Sequence, residues 1–303
     1  MMLAVVIPYY NISFFEQTLA SLASQSDKRF VVYIGDDASP NDPSGVISDY
    51  KAVLDIHYVR FEKNMGALSL VKQWERCINL INEEQWIMIL GDDDVLGNEC
   101  VAEFYKHLRT VESEKYNLIR FASAYSNRSG ERISEVYLHP KVERVTDSYF
   151  RHFKGDSRSS LSEHIFRRKA YEESRFTDFP LAWHSDDKAW LDFTNCGYVY
   201  TINEAVVDVR ISESSISGKS DNLLLKQNAR LLFIEDLVTK KLSFFNKLQK
   251  TTFLLEYGVL LKKAEKLSFK KGCYIGCQLL KTGAFIPFVK FLRRFIRAKY
   301  KSN

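Results

Sequence analysis

Apolar residues fall in short dense runs over the first two hundred positions, separated by segments where they recur every third or fourth residue. Leu3–Pro8, Phe30–Ile34, His57–Phe61 and Trp86–Leu90 are runs of the first kind and read as strands. Between them, Phe15, Leu19 and Leu22 share one helical face, a short helix leads to Tyr50, and Leu70, Trp74, Cys77, Ile78 and Ile81 share another. Ser13 and Glu16 have the spacing of a capping box, which places the start of the first helix at Ser13. Such alternation predicts a mostly parallel sheet flanked by helices, with right-handed crossovers. The pattern continues with a helix from Asn98 to Thr110, strands at Asn117–Ala124, His164–Phe166 and Tyr198–Val209, and a helix bearing Trp190, Leu191 and Phe193. Residues 125–160 are more polar and are expected to form a mobile loop region. The Ser- and Gly-rich stretch 212–220 is the expected boundary. It divides a domain over 1–215 from a helical region over 216–303, with helices at Leu223–Val238, Phe244–Leu267, Cys273–Leu280 and Phe285–Tyr300.

Composition changes this picture little, but charge changes it more. With 303 residues, 46% hydrophobic and 14% aromatic, the chain can build a sizeable core and is not disordered. Cys77, Cys100, Cys196, Cys273 and Cys277 are odd in number and lack zinc spacing, so they are expected to be buried thiols in a reducing, cytoplasmic setting. The first apolar run is too short for a signal peptide or a membrane span. The net charge of +5 is uneven: residues 270–303 carry nine basic residues and no acid, leaving −4 for the rest. That argues against a general nucleic-acid binder and for a localised anionic partner. Phe285, Phe288, Val289, Leu292, Phe295 and Ile296 are expected to form one apolar face of the tail, with Lys290, Arg293, Arg294, Arg297, Lys299 and Lys301 around it. Such a helix packs on the body or lies in a membrane interface; its unrelieved positive charge favours peripheral attachment to an anionic cytoplasmic membrane face through 284–303.

The chemistry gathers at strand ends. Tyr9-Tyr10-Asn11 follows the first strand, Gly35-Asp36-Asp37-Ala38-Ser39 closes the second, Asn64-Met65-Gly66 follows the third, and Gly91-Asp92-Asp93-Asp94 follows the fourth. Open α/β sheets bind ligands at such ends. Three adjacent carboxylates repel one another, and a divalent cation relieves that repulsion; the plainer alternative is a solvated acidic turn. No GxGxxG follows the first strand, and no GxxxxGK[ST] occurs.

Together VVIPYYN, GDDAS, NMG, LGDDD and the Asp186-Asp187 pair before a Trp-bearing helix resemble family 2 glycosyltransferases with the GT-A fold, over residues 3 to about 215. The resemblance implies an α/β GT-A catalytic domain with a C-terminal helical extension. It implies that the Pro8 backbone, Tyr10 and Asp37 hold the nucleotide base, a Tyr face stacking on uracil and a carboxylate accepting its imide N–H. Asp36 serves either a turn or the ligand. Asn64 and Gly66 match the family's Asn-x-Gly, in a donor-binding or a structural role. The family's metal motif is Asp-x-Asp, and Gly91 at its first position is a departure. Aligned so, Asp93 is the ligand of Mn2+ or Mg2+, Asp92 takes a ribose or metal-water contact, and Asp94 caps the next segment. Of Asp186 and Asp187, one is the general base and the other anchors the helix N-terminus. Trp183 and His184 line the acceptor pocket or pack in the core. Arg210, Ser212 and Ser215 match a loop over the diphosphate, a surface arginine being the alternative.

The resemblance implies direct displacement with inversion, from a nucleotide sugar, expected to be a UDP-sugar, to a hydroxyl of a lipid-linked oligosaccharide in surface-polysaccharide assembly. A metal-dependent nucleotidyltransferase would leave Asp186 and Asp187 unexplained and needs a basic Gly-rich loop that the N-terminal part lacks. A catalytically degenerate homologue, acting as a binding partner in a polysaccharide assembly complex, gains weight from Gly91 and loses it from the retained carboxylates.

Overall fold

The computed structural model describes residues 2–211 and 222–300, with side chains to residue 297; Ser212 and Ser215 lie outside the described residues. The chain divides into two compact units, Met1–Asp221 and Asn222–Asn303.

The first unit is built on one nine-stranded sheet. Its strands are β1 (Leu3–Tyr9), β2 (Phe30–Asp36), β3 (Ile56–Arg60), β4 (Trp86–Ile89), β5 (Val95–Leu96), β6 (Leu118–Ser126), β7 (Val142–Arg144), β8 (His164–Arg167) and β9 (Tyr198–Arg210). The order is β3-β2-β1-β4-β8-β6-β9-β5, with β7 paired to β9. The helices of this unit are α1 (Phe15–Ala23), α2 (Ser44–Tyr50), α3 (Leu70–Ile78), α4 (Cys100–Ser113), α5 (Val145–Lys154), α6 (Arg168–Ser174) and α7 (Ser185–Phe193). β1 and β4 are apolar throughout because helices cover both sheet faces. Leu3, Val5 and Ile7 share a core with Leu19 and Leu22 of α1 and Val101 and Phe104 of α4.

Strand direction decides what meets at the sheet's edge. β3, β2, β1 and β4 are mutually parallel. β8 is antiparallel to both β4 and β6, so β6 runs with β4, and β9 runs with β6. The carboxyl ends of β1, β2, β4, β6 and β9 therefore share one edge with the amino end of β8. That edge carries Tyr10, Asp36, Asp37, the three aspartates, Ser162, Glu163 and Arg210.

Four expectations change. The first helix begins at Phe15 without a side-chain cap; Asn11 Oδ1 takes the Ser13 N–H at 3.0 Å and ties that segment into a turn instead. Residues 125–160 are not simply loop, because they contain β7 and α5, whose Val145, Thr146 and Tyr149 are buried. Cys273 and Cys277 are exposed, unlike the other three thiols. The tail's apolar arc is split in burial, since Phe295 is buried while Phe285, Val289, Leu292 and Ile296 are exposed.

The second unit holds α8 (Leu223–Asp236), α9 (Lys247–Lys263), α10 (Phe269–Lys281) and α11 (Phe285–Tyr300). Asn246 and Gln249 form a full capping box at the start of α9. Helix α10 turns Gly272, Ile275, Gly276 and Leu279 inward, which leaves Cys273 and Cys277 outside. Gly272 is needed for close approach: a Cβ there would lie 2.3 Å from the Phe295 ring of α11.

Candidate active site

The acidic turn after β4 is made of three carboxylates in three different settings. Asp92 is half-buried, and its Oδ2 accepts the N–H groups of Tyr10 at 2.8 Å and Asn11 at 2.7 Å. It thus ties the turn to the chain leaving β1, and burial pushes its carboxyl up to about 6. Asp94 is buried. Its Oδ1 accepts the Arg210 N–H at 2.9 Å and its Oδ2 the Ser162 hydroxyl, which fastens β4 to the ends of β9 and β8. Asp93 lies between them, half-buried, and its carboxylate accepts nothing from another described residue. Burial, then the charges of Asp94 and Asp92, push it well above the usual carboxylate range, against the pull of Arg210. Gly91 also has a steric reason: a Cβ there would lie 2.8 Å from Asp94 Oδ2 and 3.1 Å from Asp93 Oδ1. Any side chain would press on the acidic turn, and an aspartate would add a fourth negative charge.

Arg210 is buried rather than free. Its Nε donates to the Asp93 carbonyl at 2.9 Å, and its Nη1 to the carbonyls of Asn127 at 2.8 Å and Arg128 at 2.9 Å. Nη2 reaches Gln17, and the guanidinium lies over the Phe14 ring at 4.3 Å. In this conformation it braces the acidic turn, and its guanidinium is engaged by these partners.

The turn after β2 is equally committed. Asp36 accepts from the Ser39 N–H at 2.8 Å, the Tyr58 hydroxyl at 2.7 Å and Arg60 Nη1 at 2.8 Å, a structural role. Asp37 accepts the N–H groups of Met65 at 2.6 Å and Gly66 at 2.7 Å and pairs with Arg76. That leaves it about one acceptor site. Gly66 is fixed by this contact, since a Cβ there would lie 2.5 Å from Asp37 Oδ2, and Asn64 Oδ1 accepts the Ala67 N–H at 2.8 Å. Tyr10 projects an exposed ring beyond β1, while Pro8 sits one residue inside the strand end, paired with Gly35.

At the start of α7, Asp186 and Asp187 have opposite environments. Asp186 is half-buried, and its Oδ1 accepts the Asp187 N–H at 2.9 Å. Burial and the Asp187 charge raise it well above the ordinary carboxylate range. Asp187 is buried, which by itself would raise it. The 2.8 Å contact from His184 Nδ1 and the nearby His152 and His164 outweigh burial and lower it. Beneath it lies a cavity of about 20 Å³, lined by Arg120, His152, His164, Asp187 and Trp190 among others, room for about one water. Glu163 acts electrostatically on both Asp94 and Asp186, so the two acidic groups share a neighbourhood. Trp183 and His184 are both half-buried.

The model of the family described as glycosyl transferase family 2 matches residues 4–174, more than half of the chain. The chain belongs to that family. As a family 2 glycosyltransferase with a GT-A fold, it also resembles solved structures of S. aureus TarS. TarS 1-349 in complex with UDP-GlcNAc superposes with a TM-score of 0.64 at 15% identity, covering 98% of this chain and 81% of that one. A longer TarS chain gives 0.60 at 15% identity, with 98% of this chain against 49% of that one. TarS 1-349 in complex with UDP gives 0.55 at 12% identity, covering 100% and 92%. At such identities the likeness speaks for the fold. No curated protein matches the chain.

The partners that hold this glycosyltransferase's carboxylates escaped the sequence reading. Ser162 and Glu163 reach the acidic turn through an antiparallel strand seventy residues downstream, Arg76 reaches Asp37 from α3, and His184 adopts a left-handed backbone with φ 69° beside Asp187. Another acidic grouping, Glu103, His107 and Glu204, stands apart on α4 and β9. Its atoms already engage Lys106 at 2.8 Å, Lys141 at 3.4 Å and the Tyr200 hydroxyl at 2.9 Å.

Proposed function

We propose that the chain is an inverting glycosyltransferase that moves one sugar from a UDP-sugar to a hydroxyl of a saccharide acceptor, assisted by Mn2+ or Mg2+. The observation that carries this reading is Asp93, a carboxylate that accepts no hydrogen bond from another described residue and is raised by burial and by two neighbouring acids. That donor set suits a hard divalent cation. Asp93 would hold the ion, and Asp92 would add a water-mediated contact through the oxygen that Tyr10 and Asn11 do not use. When bound, the cation would neutralise the leaving diphosphate.

Asp186 is the proposed base. It reaches solvent, and its raised carboxyl is a stronger proton acceptor than Asp187, which His184 holds in place. One Asp186 oxygen takes the proton of the acceptor hydroxyl as that oxygen attacks the anomeric carbon. The bond from that carbon to the diphosphate oxygen breaks, and the electron pair leaves with the diphosphate. With a single base and no covalent nucleophile, configuration inverts. The Tyr10 ring, the Pro8 carbonyl and the remaining acceptor site of Asp37 receive the base, while Asn64 and Arg210 keep the surrounding loops in register.

UDP as the nucleotide is supported by the likeness to TarS, solved with UDP-GlcNAc and with UDP. A lipid-linked saccharide of surface-polysaccharide assembly is the proposed acceptor, met at the cytoplasmic membrane face. The test is transfer from a panel of UDP-, GDP- and TDP-sugars to a membrane-lipid extract, with Mn2+ or with chelator. Cation-dependent transfer from UDP-sugars alone is expected; equal transfer with chelator would remove the metal from the account.

A further inference from the structure

Helix α11 carries three stripes. Phe288, Phe291 and Phe295 form the first and pack within the helical unit, with Phe291 and Phe295 each 8% exposed. They lie where Gly276, Gly258 and Gly272 leave space for their rings. Phe285, Val289, Leu292 and Ile296, with Ile286 at the flank, form the second, and each is between 40% and 71% exposed. Lys290, Arg293, Arg294 and Arg297 form the third; all four are exposed and none makes an ion pair with a described residue. At 3.6 residues per turn the apolar exposed stripe runs between the packed stripe and the cationic one.

We propose that α11 is an in-plane membrane anchor. It lays Phe285, Ile286, Val289, Leu292 and Ile296 into the headgroup region of an anionic phospholipid bilayer, and the four cations engage lipid phosphates. The internal core is already served by the first stripe, so the second is surplus to folding. Its cationic flank selects the occupant. From residue 270 onward there is no acidic residue, so a second copy meeting this stripe face to face would bring its own cations against these. An anionic bilayer offers both an apolar layer and compensating charge, the two signals that stable peripheral attachment needs. No helix among the described residues is long and apolar enough to cross a membrane. This inference concerns a surface remote in sequence from the motifs and does not depend on the donor or the base.

The test is co-sedimentation of the full chain with vesicles of phosphatidylglycerol and phosphatidylcholine, or of phosphatidylcholine alone. Binding to the first and little to the second is expected. The R293Q/R294Q variant should bind the anionic vesicles about thirtyfold more weakly, two cations at about 1 kcal/mol each. The V289E/L292E variant should lose sedimentation while keeping its circular dichroism, since both residues are exposed. Equal binding to both vesicle types, or undiminished binding of V289E/L292E, would overturn the proposal. So would a wild-type dimer that V289E/L292E converts to monomer, which would assign the stripe to a second copy.

Discussion

The two units share a chain but not a chemistry. Residues 1–221 contain 34 acidic and 25 basic residues, a net charge of −9, whereas residues 222–303 contain 4 and 18, a net charge of +14. All six histidines are in the first unit. The first unit spends its charged groups internally, on carboxylates that latch strand ends together, and keeps Asp93 back. The second packs phenyl rings of α11 against glycines of α9 and α10. A modest net charge therefore conceals two units of opposite sign.

The sharpest way to separate the units is to disable one. Asp93→Ala should lower transfer by about a thousandfold or more, because a cation's charge stabilisation is worth several kcal/mol and each 1.36 kcal/mol is tenfold. Vesicle binding by this variant should equal that of the wild type, and loss of both properties together would break the division. Asp186→Asn should cost about 10²- to 10⁴-fold in kcat with little change in donor affinity. Wild-type transfer should rise with pH as Asp186 loses its proton, with the rise displaced above the ordinary carboxylate range because its carboxyl is raised. If Asp187→Asn is the more damaging change and Asp186→Asn is silent, the roles of the pair are reversed.

Acid should also distinguish the units. His164, stacked on Trp190 with ring centroids 4.4 Å apart, is pushed by burial from 6.5 down to about 4, and burial with Arg120 and Arg151 pushes His139 well below its usual value. Both stay neutral in the fold but take up a proton when unfolded below about pH 6.5. Their contribution is therefore complete above pH 6.5 and is lost as pH falls toward 4, by about 1.4 kcal/mol per pH unit per histidine. Hydrogen exchange between pH 6.5 and 4.5 should show protection declining in β6, β8 and α7 while α9 and α10 hold; equal decline in both units would contradict the argument. The smallest effect is local. Gly91→Ala, pressing on Asp94 Oδ2, should destabilise by about 1–3 kcal/mol, read as a shifted denaturant midpoint.

The long apolar strands were readable in the sequence because burial on both faces leaves a nearly unbroken hydrophobic run. β5 and β7 were not, since two or three residues that pair with β9 carry no period of their own. The Ser13 signal failed because Asn11 competes for the same backbone. The acidic positions stood out by charge, but their settings depend on groups brought from far away: Ser162 for Asp94, Arg76 for Asp37 and the Tyr10 and Asn11 N–H groups after β1 for Asp92. The burial of Arg210 was not legible, because a buried brace and an exposed hook have the same sequence. The division of the tail's apolar arc into a packed and an exposed stripe was not legible, because the glycines that receive Phe288, Phe291 and Phe295 lie on other helices.

The most direct test of the central claim is calorimetric titration of UDP into the intact protein, with Mn2+ or with chelator, for the wild type and Asp93→Ala. The account predicts that Mn2+ tightens UDP binding to the wild type and that Asp93→Ala removes this dependence, leaving the same weak binding under both conditions. A variant that binds UDP with undiminished Mn2+ dependence would contradict it.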